Sequence, residues 1–404
     1  MTKDTVIEEA EQQLQSVWAG IDDVKNYTQV RVLEAFQKAG VQNAHFSWVT
    51  GYGYDDLGKD KLDEVYAHYF KTEDALVRPQ LVSGTHAIMT AVLGNLKVGD
   101  EIVVVSGQPY DTLQTAFREV CPKRGLKYAE GMENLKPDTK IAFIQRSRGY
   151  EWRDSYTLKA MRDLIASVRE VAPGAIVFVD NCYGEFTQKL EPTFIYELEN
   201  DTEEIKADLI AGSLIKNPGG GLVAAGAYIA GSKQLVQNAA DELMAPGIGK
   251  HGGCMFDQTR LFFQGFFMAP LIVSEALKGM TLAAKVFADM GLETIPSFDA
   301  ERNDVIQAIK FGSKEKLINF CKLVQQNSPT NSMFSPIPDE ISGYDDAVIM
   351  AAGAFVEGSS IELSADGPIR EPYIGYLQGG LSYAHTRHLL QQLVVEDRCQ
   401  APKI

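Results

Sequence analysis

Apolar residues recur along this chain in two rhythms. Between residues 75 and 214, short continuous apolar runs alternate with stretches whose apolar positions fall three and four residues apart. The runs are 75–82, 101–106 (Ile102-Val103-Val104-Val105 inside), Ile141–Gln145, 175–180 (Ile176-Val177-Phe178-Val179 inside) and 209–214, and the amphipathic stretches are 86–96, 111–120 and Leu158–Val171. Continuous runs mark strands covered on both faces, and amphipathic helices between them mark crossovers, so the pattern predicts a mainly parallel sheet in an α/β unit. Upstream, charged helical faces lie around 8–18 and 59–71, with an aromatic, Gly-rich loop at 48–56 between them. Downstream, candidate strands at 347–356 and 360–364 and a closing helix at 383–395 read as α+β. The division expected is a helical segment 1–72, a large α/β domain 73–290 and a smaller C-terminal α+β domain 291–404. No internal repeat or low-complexity tract interrupts it.

Composition narrows the partners. The chain has 404 residues, 45% hydrophobic and 23% charged, which suits a folded globular protein. Its net charge of −16 (38 basic against 54 acidic residues) opposes binding to nucleic acid or to anionic membrane surfaces. A small molecule or a protein is the partner to expect. Five scattered cysteines, Cys121, Cys182, Cys254, Cys321 and Cys399, show no metal or redox spacing and read as reduced thiols of a cytoplasmic protein. Glu8, Glu9 and Glu11 contradict a secretory leader, and the apolar run 261–273 falls short of the ~18 residues that span a bilayer. His385 and His388, three apart on the closing helix, have no evident third ligand and read as packing or surface residues, so no metal is expected.

In open parallel sheets, ligands bind beyond the carboxyl ends of the strands, so polar residues just after the runs carry the candidate chemistry. Ser83-Gly84-Thr85 follows the first run and opens a helix; such a turn can bind phosphate with backbone N–H groups and hydroxyls, or can simply cap the helix. Tyr110, after the run 101–106, can stack on a flat heterocycle or pack in the core. Asp180 ends an apolar strand, where a carboxylate is costly without a partner such as a protonated ring nitrogen, a helix or a metal. Lys216 follows the run 209–214 and precedes Asn217-Pro218-Gly219-Gly220-Gly221. Burial there is expected to lower its pKa and make it nucleophilic, with the glycines letting the backbone approach a cofactor or another chain. Ser213 lies within reach of the same phosphate. The spacing of Gly219-Gly220-Gly221 does not match a dinucleotide fingerprint.

Phosphate turn, stacking aromatic, aspartate and lysine, in that order, resemble the aspartate-aminotransferase-like enzymes that use pyridoxal 5'-phosphate (PLP). The strings Ser-Gly-Thr-His-Ala (83–87), Gln-Arg-Ser-Arg-Gly-Tyr (145–150), Val-Asp-Asn-Cys-Tyr-Gly-Glu-Phe (179–186) and Lys-Asn-Pro-Gly-Gly-Gly (216–221) resemble the methionine gamma-lyase/aluminium-resistance family, relatives of the cystathionine lyases. The resemblance extends to Gly51-Tyr52-Gly53-Tyr54 and to the segment from Gly367 to Tyr373, covering nearly the whole chain. It implies a PLP-dependent carbon–sulfur lyase, cleaving a cystathionine- or methionine-type amino acid by β- or γ-elimination, in a dimer of dimers with shared sites. By the same resemblance Lys216 holds PLP as a Schiff base and moves the Cα proton, Asp180 pairs with the ring nitrogen and Tyr110 stacks. Ser83, Gly84, Thr85 and Ser213 hold the phosphate, Tyr52 or Tyr54 reaches in from a neighbouring subunit, and Tyr110 or Tyr54 protonates the leaving group. Tyr54 stands where the classical lyases carry arginine. Arg370, then Arg148, would grip the substrate carboxylate, although each also suits a structural ion pair. An aminotransferase or aldolase reaction, or a non-catalytic PLP-binding regulator, are the alternatives, and metal resistance is no more than a family label.

Overall fold

The computed structural model of the chain describes residues 3–199 and 205–400. Helices α1 (Lys3–Ala39) and α2 (Leu57–Phe70) lead into strand β1 (Asp74–Arg78). Then follow α3 (Gly84–Asn95), β2 (Glu101–Val104), α4 (Asp111–Lys123), β3 (Lys127–Glu130), β4 (Ile141–Gln145), α5 (Leu158–Val171), β5 (Ile176–Asp180), β6 (Leu209–Ser213) and β7 (Ala227–Gly231). After α6 (Lys233–Leu243) and α7 (Thr259–Asp289) come β8 (Glu293–Ile295), β9 (Ile306–Lys310), α8 (Lys314–Gln326), β10 (Val348–Ala351), β11 (Ser364–Pro368), β12 (Ile374–Gln378) and α9 (Tyr383–Gln400).

The first seven strands form one sheet in the order β1-β7-β6-β5-β4-β2-β3, in which only β7 runs against its neighbours. Strands β4, β5, β6 and β7 are buried along their whole length. Two apolar clusters cover its faces, one around α3, α4 and α6 (Ile88, Phe117, Val236), the other around α2, α5 and α7 (Tyr66, Ile165, Phe266). Strands β8 to β12 form a second, antiparallel sheet in the order β10-β11-β12-β9-β8. Its cluster joins Leu317 and Leu389 to Ile7, Ala10 and Leu14 of α1 and Met280 and Phe287 of α7.

Several elements depart from the apolar pattern. The strand expected at 75–82 stops at Arg78, because Pro79 has no N–H for the ladder. The strand expected at 347–356 shrinks to β10, and 360–364 is a loop until Ser364 opens β11, whose Ser-Ala-Asp-Gly-Pro carries no apolar signal although every residue is buried. Helix α1 is one piece of 37 residues, and the charged face at 8–18 is part of it. Helix α7 runs for 31 residues, well beyond 261–273, and is the one helix among the described residues long and apolar enough to cross a membrane. Two-thirds of its most apolar window is buried within the fold, packed between α1 and α9.

Two polar ties fix this frame. Arg78 gives Asp63 a two-pronged bond (Nη1–Oδ1 2.8 Å, Nη2–Oδ2 2.9 Å) with both side chains buried, and Val77 N–H donates to the same Oδ1 at 2.8 Å. At the other end, Glu11 of α1 accepts from Arg387 Nε (2.7 Å) and Tyr383 Oη (2.5 Å) of α9.

Candidate functional site

The carboxyl ends of β4, β5 and β6 open on a cavity of about 220 Å³ closed on its other side by the second sheet. Asp180 and Ala211 face each other across β5 and β6, so the residues following these strands emerge side by side. Asp180 stands at the tip of β5, accepting the N–H of Cys182 at 3.0 Å. Lys216 follows β6; its Nζ donates to the Ser359 carbonyl at 2.9 Å and lies 3.7 Å from the centre of the Tyr183 ring. Ser83 caps α3 by accepting the His86 N–H at 3.1 Å, and with Gly84 and Thr85 it puts the helix N-terminus against the cavity. A Cβ at Gly84 would sit 3.0 Å from Cys182 Sγ and 3.5 Å from Ser213 Cβ, so a side chain there would have to push the cysteine aside by a few tenths of an ångström. Thr85 Oγ1 and Tyr110 Oη are 2.5 Å apart, and Ser213 lines the same wall.

Seven residues singled out from sequence thus share one cavity: Ser83, Gly84, Thr85, Tyr110, Asp180, Ser213 and Lys216. Others do not join them. Tyr52 and Tyr54 stack on each other (centres 5.5 Å apart, 17° between planes) on an exposed loop, 77% and 48% exposed, held from beneath by Lys59 Nζ on the Gly53 carbonyl. Arg148 and Arg370 line an adjoining cavity with Tyr110, Asp111 and Tyr150. Arg148 is buried, donating to the Ile295 carbonyl at 2.7 Å with Asp304 at 3.5 Å. Arg370 is 41% exposed and paired with Asp346 at 3.0 Å. The Gly-rich turn after Lys216 serves packing: a Cβ on Gly219 would meet the Leu214 carbonyl at 1.7 Å, and one on Gly220 the Gly265 carbonyl of α7 at 2.3 Å. His385 Nε2 lies 2.7 Å from the Asn327 carbonyl.

Sequence reasoning missed much of the wall: Tyr150, Cys182, Tyr183, Tyr344, Ser359, Asp366, Tyr376 and Gln378. Tyr183 offers the one available signal, its place three residues after Asp180. Its φ of 69° is a strained backbone for a tyrosine, kept where it lays the ring against Lys216.

Electrostatics differ from expectation at Lys216. Burial does act to lower its pKa, but Tyr183, Cys182 and Asp180 outweigh it and hold the amine above its ordinary value. Burial raises Asp180, partly offset by hydrogen bonding from Cys182 and by the charge on Lys216. Burial, then Asp180 and Cys182, push the Tyr110 phenol well above its usual range, so it stays protonated. A helix N-terminus with the hydroxyls of Ser83, Thr85 and Ser213 about it, a buried carboxyl and a half-buried amine together fit a phosphorylated, protonated heterocycle that carries an aldehyde.

The family model described as methionine gamma-lyase matches residues 3–121 and 116–397. YnbB, an uncharacterized protein of Bacillus subtilis (strain 168), is 41% identical over 406 residues, covering 95% of this chain and 93% of its own length. A Listeria innocua crystal structure, described as a candidate cystathionine beta-lyase involved in aluminum resistance, is 43% identical with a TM-score of 0.92, over 98% and 99% of the two chains. A Clostridium novyi NT structure, named a carbon-sulfur lyase involved in aluminum resistance, is 41% identical with a TM-score of 0.89, over 98% and 96%. The fold alone extends to the pyridoxal-5'-phosphate-dependent protein YhfS of Escherichia coli, 14% identical with a TM-score of 0.58, over 93% and 97%.

Proposed function

Because the chain belongs to the methionine gamma-lyase family, we propose that it cleaves a carbon–sulfur bond in an amino acid of the cystathionine or methionine type, with PLP held at Lys216. The carrying observation is that Lys216, Asp180 and the N-terminus of α3 converge on one cavity at the switch from sheet to helix. Ser83, Gly84, Thr85 and Ser213 would hold the phosphate, Asp180 the protonated ring nitrogen, and Tyr110 the ring face. When bound, PLP supplies the electron sink for charge developing at the substrate Cα.

The protein's own groups do the remaining work. The Lys216 amine, once exchanged for the substrate, is the base placed to take the Cα proton. Tyr183, Cys182 and Asp180 beside it favour its protonated form. Tyr110 stays protonated and can offer its hydroxyl as a hydrogen bond to the departing sulfur, although a phenol held well above its usual range gives up the proton reluctantly. Arg370 is the better placed of the two arginines for the substrate carboxylate: its exposed pair with Asp346 costs about 0–1 kcal/mol to break, whereas Arg148 is locked to Ile295 and Asp304. The exposed aromatic loop at Tyr52 and Tyr54 suits contact with a second subunit, in keeping with shared sites in a dimer of dimers. The buried, unpaired Cys121, Cys182, Cys254 and Cys321 support a reducing, cytoplasmic setting.

The test is a product assay. The PLP-loaded protein, yellow from its bound cofactor, is given cystathionine, methionine and cysteine, and pyruvate and 2-oxobutyrate are measured. Pyruvate from cystathionine assigns β-elimination, and 2-oxobutyrate assigns γ-elimination. Neither product, from a protein that carries the cofactor, would sink the lyase reading.

A further inference from the structure

The far wall of the cavity comes from the second sheet and has no part in the chemistry above. Asp366 on β11 and Tyr376 on β12 are cross-strand partners, so their side chains share a face. The Tyr150 ring lies between two others, its centre 5.0 Å from Tyr376 and 5.8 Å from Tyr344. Tyr376 Oη donates to the Tyr150 carbonyl at 2.5 Å, and the Tyr150 hydroxyl is near enough to Asp366 to lower its pKa. Three phenol rings and one acid therefore form a connected group, with Asp366 only 8% exposed.

A carboxylate enclosed by aromatic rings is costly unless a cation offsets it. Burial pushes Asp366 up to about 7, opposed only by the Tyr150 hydroxyl and the Lys216 charge. The charged residues on the cavity are Asp111, Asp180, Asp366 and Lys216. Lys216 is the single cation among them and is committed in the proposed reaction to the cofactor and then to the Cα proton. Arg148 and Arg370 line the adjoining cavity, paired with Asp304 and Asp346. What remains is an acid and electron-rich ring faces, a surface that attracts positive charge. A neutral thioether tail offers that acid no cation and leaves it to be neutralised by a proton.

We infer that Asp366, framed by Tyr150, Tyr344 and Tyr376, is a specificity residue that selects amino-acid substrates with a primary ammonium at the far end of the side chain. This deepens the lyase reading and rests on it only for the statement that an amino acid occupies the cavity. Substrates of the cystathionine type carry that second ammonium; methionine does not.

Ornithine and norleucine make the test independent of turnover, since their side chains have the same length and neither holds a leaving group. Their binding to the PLP-loaded protein is measured by calorimetry and by the change in the visible band. The parent is expected to prefer ornithine by at least about tenfold, the scale of a charge-assisted hydrogen bond plus a cation–ring contact. In Asp366→Asn that ratio should fall by about tenfold, and in Tyr344→Leu by about threefold. Should Asp366→Asn not fold, the parent and Tyr344→Leu still decide. Equal binding of the two ligands by the parent, or a preference unchanged in both variants, would overturn the inference. S-(2-aminoethyl)cysteine against S-propylcysteine then probes turnover. Cleavage of neither, with the ornithine preference intact, removes the β-elimination reading and leaves the ammonium site standing.

Discussion

Lys216→Ala is expected to lower turnover of any sulfur amino acid by at least about 10²–10⁴-fold, the usual contribution of one proton-transfer group. The loss should exceed that range if the same amine also anchors the cofactor. The visible absorption band of the loaded parent should be shifted or absent in the variant, and borohydride should fix the cofactor to Lys216 in the parent alone. Folding should survive the change. The side chain's bonds are one hydrogen bond to the Ser359 carbonyl and a contact with the Tyr183 ring. Removing a half-buried ammonium also removes part of a desolvation cost. Unchanged far-ultraviolet circular dichroism beside lost turnover would place the defect in the site. A variant retaining more than about a tenth of the parent's turnover would take Lys216 out of the chemistry.

The second large effect concerns stability. Asp63→Ala is expected to cost about 3–5 kcal/mol, because it leaves the Arg78 guanidinium buried without its partner. The same change strips the Val77 N–H of its acceptor, loosening the joint between α2 and β1. Lys250 lies 3.4 Å from Asp63 but is held by Asp74 as well, so its own adjustment should be small. Urea unfolding of the two proteins measures the difference. A loss below about 1 kcal/mol would mean that water or relaxation reaches Arg78, and that the joint is less sealed than its burial indicates. Because Arg78 begins the turn that leads to Ser83, weaker cofactor retention should accompany the loss.

The large sheet was legible because its central strands are apolar on both faces and each crossover helix keeps one apolar stripe. Ile141–Gln145 and Leu158–Val171 coincide with β4 and α5 for that reason. Strand β11 was illegible for the opposite reason. Its Ser364-Ala365-Asp366-Gly367-Pro368 is polar yet buried, supported by neighbouring strands that local periodicity does not reveal. The residues after the parallel strands, Asp180 and Lys216, could be found from position alone, since topology dictates where strand tips point. The second wall could not. Tyr150, Tyr344, Asp366 and Tyr376 come from separate segments of the chain and meet only through the packing of one sheet against the other. The direction of the Lys216 shift was missed likewise, because burial can be guessed from an apolar neighbourhood but Tyr183 and Cys182 beside the amine cannot.

The clasp between α1 and α9 has a consequence for synthesis. Ile7, Ala10 and Leu14 find their cover on α7, α8 and α9, and Glu11 meets its arginine 376 residues later. At ribosomal rates of about 5–20 residues per second, that partner emerges roughly 20–75 s after Glu11 does. Until α9 arrives, the part of that helix that faces it stays uncovered, although α2 and α7 can already cover the rest. The contact between the first helix and the last therefore cannot close until the chain is almost complete.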